Sequence, residues 1–430
     1  MGILGPQRAR LANGARRTFW AVASEAVHSA NTLFLSAWIA HRAGAADFGA
    51  FSAIYAGMLF VMFLGRAACA MPMVIQHSGS AKLFERRLLS GVMGASCLVG
   101  VVSACLGLAV GFVIGGSVGQ ICIAIAVGGP SLLLQDSANL ALYARGQARS
   151  AFTSNAIWAG VGISLFLIAT YTLQISHAWP YVVLWDIAVT SSAIYGLSVL
   201  RTLPSVPGGV RRWVDSWPMA RNLTTEAAID QSSQQGVLWI MAVGLDLVSL
   251  AGFRAAQLIF GGVRILVQGL VPFGVAEGVK LFRGAPRRLL VLLSLWVLGS
   301  MVVIALLLLV LVSVPYRWGE WLLGESWSYS YPVLIPIAVG VIGNAIITIG
   351  MAGLRAMNET GTLVRLRIPV SMVVVLGAVI GVWSGNLRDF AIAYSSCTVC
   401  AGVLCAVVLV VKFKSVTGRT AGTPRAIDAG

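Results

Sequence analysis

The chemistry open to this sequence rests on a few ionisable side chains set inside long apolar runs. Three arginines, Arg66, Arg254 and Arg264, lie within such runs. A charge there is costly, so it faces a partner or water. A guanidinium in a wet cavity can grip a phosphate, a diphosphate or another anion through two parallel hydrogen bonds. The competing role for Arg264 is to neutralise a buried acid such as Asp230, and Arg254 lies near enough to the end of its run to snorkel. Carboxylates form the second group. Glu25, His28 or Ser29, Thr32 and Ser36 recur every three or four residues and so share one helix face. Glu226, Asp230 and Ser233 or Gln234 do the same in another run, and Asp136, Asn139 and Tyr143 in a third. Such stripes could line a polar cavity, form a gate or couple an ion. Packed against neighbouring helices they would act only as polar glue. Asp186 stands alone in its run, with the same two roles open to it.

Catalysis is poorly served. Asp47 has no paired carboxylate, and His28, His41, His77 and His177 are scattered. No zinc-protease, phosphate-loop or nucleophile-elbow motif occurs. The seven cysteines all fall in apolar runs, and Cys397 and Cys400, although two residues apart, have no second ligand pair. Neither a metal nor a cofactor is expected.

The elements that must position these residues are membrane helices. Apolar residues make up 58% of the chain and charged residues 10%, with mean hydropathy +0.87, too few charges to cover a soluble surface of this size. Continuous runs long enough to cross a bilayer recur throughout, which favours helices over a barrel. We place twelve spans at 18–41, 48–75, 88–115, 118–144, 151–173, 178–200, 222–244, 248–275, 288–314, 331–354, 364–383 and 389–411. With the N-terminus inside, the outer loops keep only Arg42, Arg317 and Arg388. Apart from the three arginines within spans, every other one of the 30 Lys and Arg residues falls on the inner side. Both termini are therefore expected in the cytoplasm, with the protein in the inner (cytoplasmic) membrane. The formal charge of +15 is expected to meet anionic membrane lipid at the cytoplasmic loops rather than nucleic acid.

A faint internal repeat divides the chain. Ser24-Glu25-Ala26 answers to Thr225-Glu226-Ala227, and Trp38-Ile39 to Trp239-Ile240, both offset by about half the length of the chain. The expected fold is an all-α polytopic membrane protein of about twelve transmembrane helices in two pseudo-symmetric six-helix bundles. Its parts are a basic cytoplasmic N-terminus (1–17), an N-terminal bundle (18–200), a cytoplasmic linker (201–221) marked by prolines and Gly208-Gly209, a C-terminal bundle (222–411) and a disordered cytoplasmic tail (412–430). Helices two and eight are repeat mates, so Arg66 and Arg264 occupy related positions. Glu25 and Glu226 are repeat mates on helices one and seven.

Residues 44–51, Gly-Ala-Ala-Asp-Phe-Gly-Ala-Phe, resemble the turn between the first two helices of polysaccharide transporters. These are the Wzx-like lipid-linked oligosaccharide flippases of the multidrug/oligosaccharidyl-lipid/polysaccharide exporter superfamily. Spacing and aromatics match, while Ala45 and Ala46 replace the usual Pro and acid. Arg145-Gly146-Gln147 and Arg355-Ala356-Met357-Asn358 resemble that family's repeat-related helix ends. The resemblance implies two bundles around a central cavity that opens alternately to each side, a lipid-diphosphate sugar as cargo, and polysaccharide polymerase machinery as a partner. On it the leading expectation is a flippase for a lipid-linked oligosaccharide or other polysaccharide precursor, with the arginines on the diphosphate. The alternative is a cation-coupled multidrug or small-molecule antiporter of the same fold, with Asp230, Glu25 or Asp136 as coupling acid. A membrane glycosyltransferase or ligase stands third, because the outer loops are too short to carry its groups.

Overall fold

The computed structural model describes residues 4–77, 85–175, 177–264, 285–313, 316–357 and 359–422, with isolated positions between 265 and 284. Helices follow one another as α1 (Leu4–Arg42), α2 (Ala45–Gly65), a wide π turn (Arg66–Ala70), α3 (Met71–His77), α4 (Arg86–Ile114), α5 (Gly116–Ala144), α6 (Ala148–Tyr171) and α7 (Ala178–Leu200). Then come α8 (Val206–Gly244), α9 (Leu247–Ile259), α10 (Pro286–Ser313), the short α11 (Tyr316–Leu323) and α12 (Ser326–Ser330), α13 (Leu334–Ala356), α14 (Thr360–Trp383) and α15 (Leu387–Gly422). No strand occurs among the described residues. Nine helical stretches among them are long and apolar enough to cross a membrane. The helices α1 and α8 are long enough but carry the polar stripes. The remainder of the expected 248–275 span lies largely outside the described residues.

The turns follow from backbone chemistry. Between α4 and α5, Gly115 and Gly116 both take positive φ (66° and 59°), which only glycine adopts without strain, so the chain reverses without a loop. The expected linker at 201–221 is mostly helix. Its prolines do not break it: Pro207 lies in the first turn of α8, where a missing N–H costs nothing, and the Ser205 side chain caps that turn. Only residues 201–205 stay non-helical. The tail expected to be disordered from 412 is helical to Gly422, because no proline interrupts α15 before Pro424. The segment between the ninth and tenth expected spans, expected to be an outer loop, also folds from 316 on, as α11 and α12. There Glu325 accepts a hydrogen bond from the Ala45 N–H at 3.1 Å and so caps α2 from 280 positions away.

The chain falls into two compact units, Met1–Ala255 with Gly319–Tyr329, and Ala256–Trp318 with Ser330–Gly430. The first packs α4 on α5 and α8, α5 on α7, and α1 on α6. Its core near the wide turn gathers Ala70, Met73, Leu89, Val92, Met93 and Leu142. Close approaches rest on glycine. A Cβ on Gly49 would lie 1.8 Å from the Leu247 carbonyl oxygen. In the second unit α13 packs on α15 through Gly340, Gly343, Gly350 and Gly353, the small-residue spacing that lets membrane helices touch closely.

Candidate functional site

Within the first unit one polar cluster joins four helices. Arg66 ends the regular part of α2 and opens the wide turn, where the Met71 N–H bonds back to the Arg66 carbonyl. Its guanidinium meets the Asp136 carboxylate on α5 through two hydrogen bonds: Nε donates to Oδ2 at 2.9 Å, and Nη2 donates to Oδ1. Asp136 is buried, the Arg66 side chain is about a third exposed, and the Phe63 ring lies 5.2 Å from the guanidinium carbon. The next turns of α5 carry the polar row on. Gln135 and Asn139 both donate to the Asn155 Oδ1 on α6, at 2.9 and 3.0 Å. Asn155 in turn donates to the Ser24 carbonyl and hydroxyl on α1, at 3.2 and 3.0 Å. Tyr143 donates to the Ser24 hydroxyl (2.8 Å) and to the Glu25 carboxylate (3.2 Å). The His28 ring packs at 5.1 Å from the Trp158 ring.

The sequence stripes on α1 and α5 thus face each other, and Arg66 bridges to them. Glu25, Arg66, Asp136 and Asn139 come together as one group. The electrostatics are lopsided: two carboxylates, Glu25 and Asp136, lie in the field of one guanidinium. The network also has slack, since the buried Asn139 Oδ1 has no partner among the described residues. Such a site can hold one added positive charge, and its amides and hydroxyls can rearrange around it.

The remaining candidates lie elsewhere. Glu226 and Asp230 are half-buried on α8, where Asp230 accepts from Gln234 at 3.0 Å. Arg254 sits on α9 in the first unit, within the field of Tyr55. Arg264 belongs to the second unit, beside Asn344 and Thr348 of α13. Asp186 on α7 is buried against Gly128, and neither of its carboxylate oxygens has a hydrogen-bond partner among the described residues. Asn155 was not among the sequence candidates, although it joins α1, α5 and α6. The available signal was its being the one carboxamide in the 151–173 run.

Compared by sequence, the chain matches no family model and no curated protein. Comparison of folds is decisive. A multidrug resistance MATE family transporter of the MOP superfamily, in an inward-facing conformation, superposes with TM-score 0.72 at 13% identity, over 93% of this chain and 99% of that one. The fold is that of a MATE transporter. An outward-facing structure of a MATE family transporter gives TM-score 0.65 at 14% identity, over 94% and 96% of the two chains. A MOP superfamily transporter from Pyrococcus furiosus, described as having a binding pocket of reversed polarity, gives 0.58 at 13% identity, with the same coverage. The MATE fold consists of two pseudo-symmetric lobes with twelve membrane helices in all, which bears out the expected fold class.

Proposed function

We propose that this protein is a cation-coupled exporter that moves a small organic solute across the membrane by alternating access, and that the Glu25–Arg66–Asp136 cluster is its coupling site. One observation carries the proposal: two carboxylates share one arginine inside a membrane lobe. With both acids ionised the cluster has one negative charge in excess. A proton or a monovalent cation removes that excess, and its arrival changes which hydrogen bonds Tyr143 and Asn155 can make. Protonation would therefore bias one packing of α1 against α5 over another. Glu25 is the entry point, since it is exposed and held only by Tyr143 among the described residues. The structural neighbours described as multidrug transporters support this reading.

Flipping of a lipid-linked oligosaccharide, assisted by polymerase machinery, is the second reading. It draws on the turn at residues 44–51 and on Arg264. It is weakened at Arg66, whose Nε and Nη2 donors are already engaged by Asp136. The test uses sealed vesicles in which the chain is the sole transporter, with ethidium as a probe and an imposed proton or sodium gradient. Gradient-driven ethidium movement that disappears in Glu25→Gln at unchanged abundance is the expected result. Movement that ignores both gradients, or survives in the variant, rejects coupling at this cluster. A lipid-linked glycan accumulating on the cytoplasmic leaflet of deletion cells would move the assignment to the second reading.

A further inference from the structure

Where α4 begins, α7 ends and α8 begins, the first unit holds a cavity of about 1090 Å³. Five arginines line it: Arg86, Arg87, Arg201, Arg211 and Arg212. Two carboxylates, Glu85 and Asp215, share it, so the lining carries a net charge of +3. Arg212 lies in the field of both acids. Burial draws its guanidinium below the ordinary value, and the two acids oppose that shift. Among the described residues no ion pair engages Arg86, Arg87, Arg201 or Arg211. Four guanidinium groups thus converge on a space larger than most small-ligand pockets.

The walls are built rather than incidental. The start of α8 lies on α4 backbone to backbone: a Cβ on Gly94 would sit 2.0 Å from the Ser205 carbonyl oxygen, and one on Gly209 2.4 Å from the Ala95 nitrogen. The Ser205 N–H donates to the Ser90 carbonyl at 3.0 Å, and the Ser90 hydroxyl to the Leu203 carbonyl at 2.6 Å. Arg201 caps α7 in the left-handed conformation (φ 52°, ψ 46°), which a non-glycine residue adopts at a cost and which often marks a functional position.

Depth in the membrane follows from α8. Gly209, Ser216 and Ala220 form its buried seam. On one flank of that seam Gly208, Arg211, Arg212 and Asp215 face the cavity. On the other flank Val206, Val210, Trp213, Val214 and Trp217 are all exposed, at the spacing of one helix face. An exposed apolar stripe with two tryptophans belongs at the lipid headgroup boundary, and it holds the arginine flank at the same level. The cavity also reaches the outer surface of the membrane helix α7. Ile194 there is 63% exposed, and Leu203, just beyond the helix, is 78% exposed.

We propose that this cavity binds one anionic membrane phospholipid, its phosphate held by Arg86, Arg87, Arg201 and Arg211 and its acyl chains lying along Ile194 and Leu203. Guanidinium forks suit the phosphate oxygens, while the exposed apolar wall suits a lipid and gives a soluble phosphate nothing to hold.

The test is native mass spectrometry of the full chain, purified in detergent and exposed to equal amounts of phosphatidylglycerol and phosphatidylcholine. One retained phosphatidylglycerol per chain is expected. Arg201→Gln with Arg211→Gln should reduce its retention by roughly tenfold or more, the usual loss when charged hydrogen bonds are removed. If that variant does not fold, Arg86→Gln with Arg87→Gln, at the exposed start of α4, reads the same site. Arg365→Gln with Lys414→Gln, basic positions outside the cavity, should leave retention unchanged. Equal retention of phosphatidylcholine, wild-type retention in the cavity variants, or equal loss in the Arg365/Lys414 control each overturns the proposal. Displacement of the lipid by millimolar inorganic phosphate would also overturn it, in favour of a soluble anion.

Discussion

Arg66→Gln should destabilise the protein more than Asp136→Asn, although both break the same pair. The reason is burial. Asp136 is 7% exposed, so Arg66→Gln strands a carboxylate away from water. Removing one partner of a buried pair in this way costs about 3–5 kcal/mol. The Arg66 side chain is 31% exposed, and in Asp136→Asn it keeps an amide oxygen to donate to, so its charge is less completely stranded. That cost should be about 1–2 kcal/mol, nearer the range of exposed pairs. Combining Arg66→Gln with Asp136→Asn replaces the ion pair by two amides and strands no charge. The double variant should therefore be more stable than Arg66→Gln alone, with a coupling of about 2 kcal/mol. Thermal unfolding in detergent, followed by the fluorescence of the 13 tryptophans at a fixed scan rate, reads these differences. The midpoint for Arg66→Gln should fall by about 3–6 °C. Equal losses in the two single variants, or a double variant worse than either, would refute the reasoning. An unchanged midpoint in Arg66→Gln would return Arg66 to the role of an open anion ligand.

Other outcomes are equally specific. Gly49→Ala puts a methyl group 1.8 Å from the Leu247 carbonyl and should cost at least about 1–3 kcal/mol, seen as a lower midpoint and less protein in the membrane. Asp246, in the turn before α9, accepts hydrogen bonds from the Ser249 N–H and hydroxyl, both at 2.7 Å. Desolvation pushes its carboxyl up, but these bonds outweigh that and hold it below the ordinary value of 3.8. Its stabilising contribution is therefore complete above pH 4 or so and lost as pH falls through the folded-state value. Asp246→Ala should cost about 1 kcal/mol at pH 7 and flatten that acid limb of the stability curve. Reporter fusions at Arg212 and Arg287 should face the cytoplasm and those at Gly116 and Gly319 the outside. A reversed signal at Arg212 would unseat the charge-based topology.

The spans from 88 to 200 are legible in the sequence to within about three residues, because arginines, a glycine pair or, after 173, the polar residues Gln174, Ser176 and His177 bound each apolar run. The stripe on α1 and the one on α5 are legible too, since helical spacing alone sets them on single faces. What faces a stripe is harder to see. Arg66 suggested an anion site, and nothing in local sequence says that Asp136, 70 positions on, lies opposite it. Glu325 capping α2 is invisible for the same reason. The helix at 206–221 escaped notice because Pro207 and Gly208-Gly209 read as breakers. Here the proline starts a helix and the glycines permit close contact.

The wide turn at Arg66–Ala70 has a consequence for sequence length. A turn of this kind accommodates one residue more than regular winding, so the stretch beyond it is rotated by roughly 100° relative to an unbroken α-helix. That rotation lets Arg66 meet Asp136 while Ala70 and Met73 enter the core with Leu89 and Val92. A one-residue deletion among Ala67, Ala68 and Cys69 would restore regular winding and leave Met73 facing that core, one position earlier in the chain. Within this helix the wide turn absorbs a difference of one residue, so related chains can show a single-residue gap there while the residues on either side keep their faces.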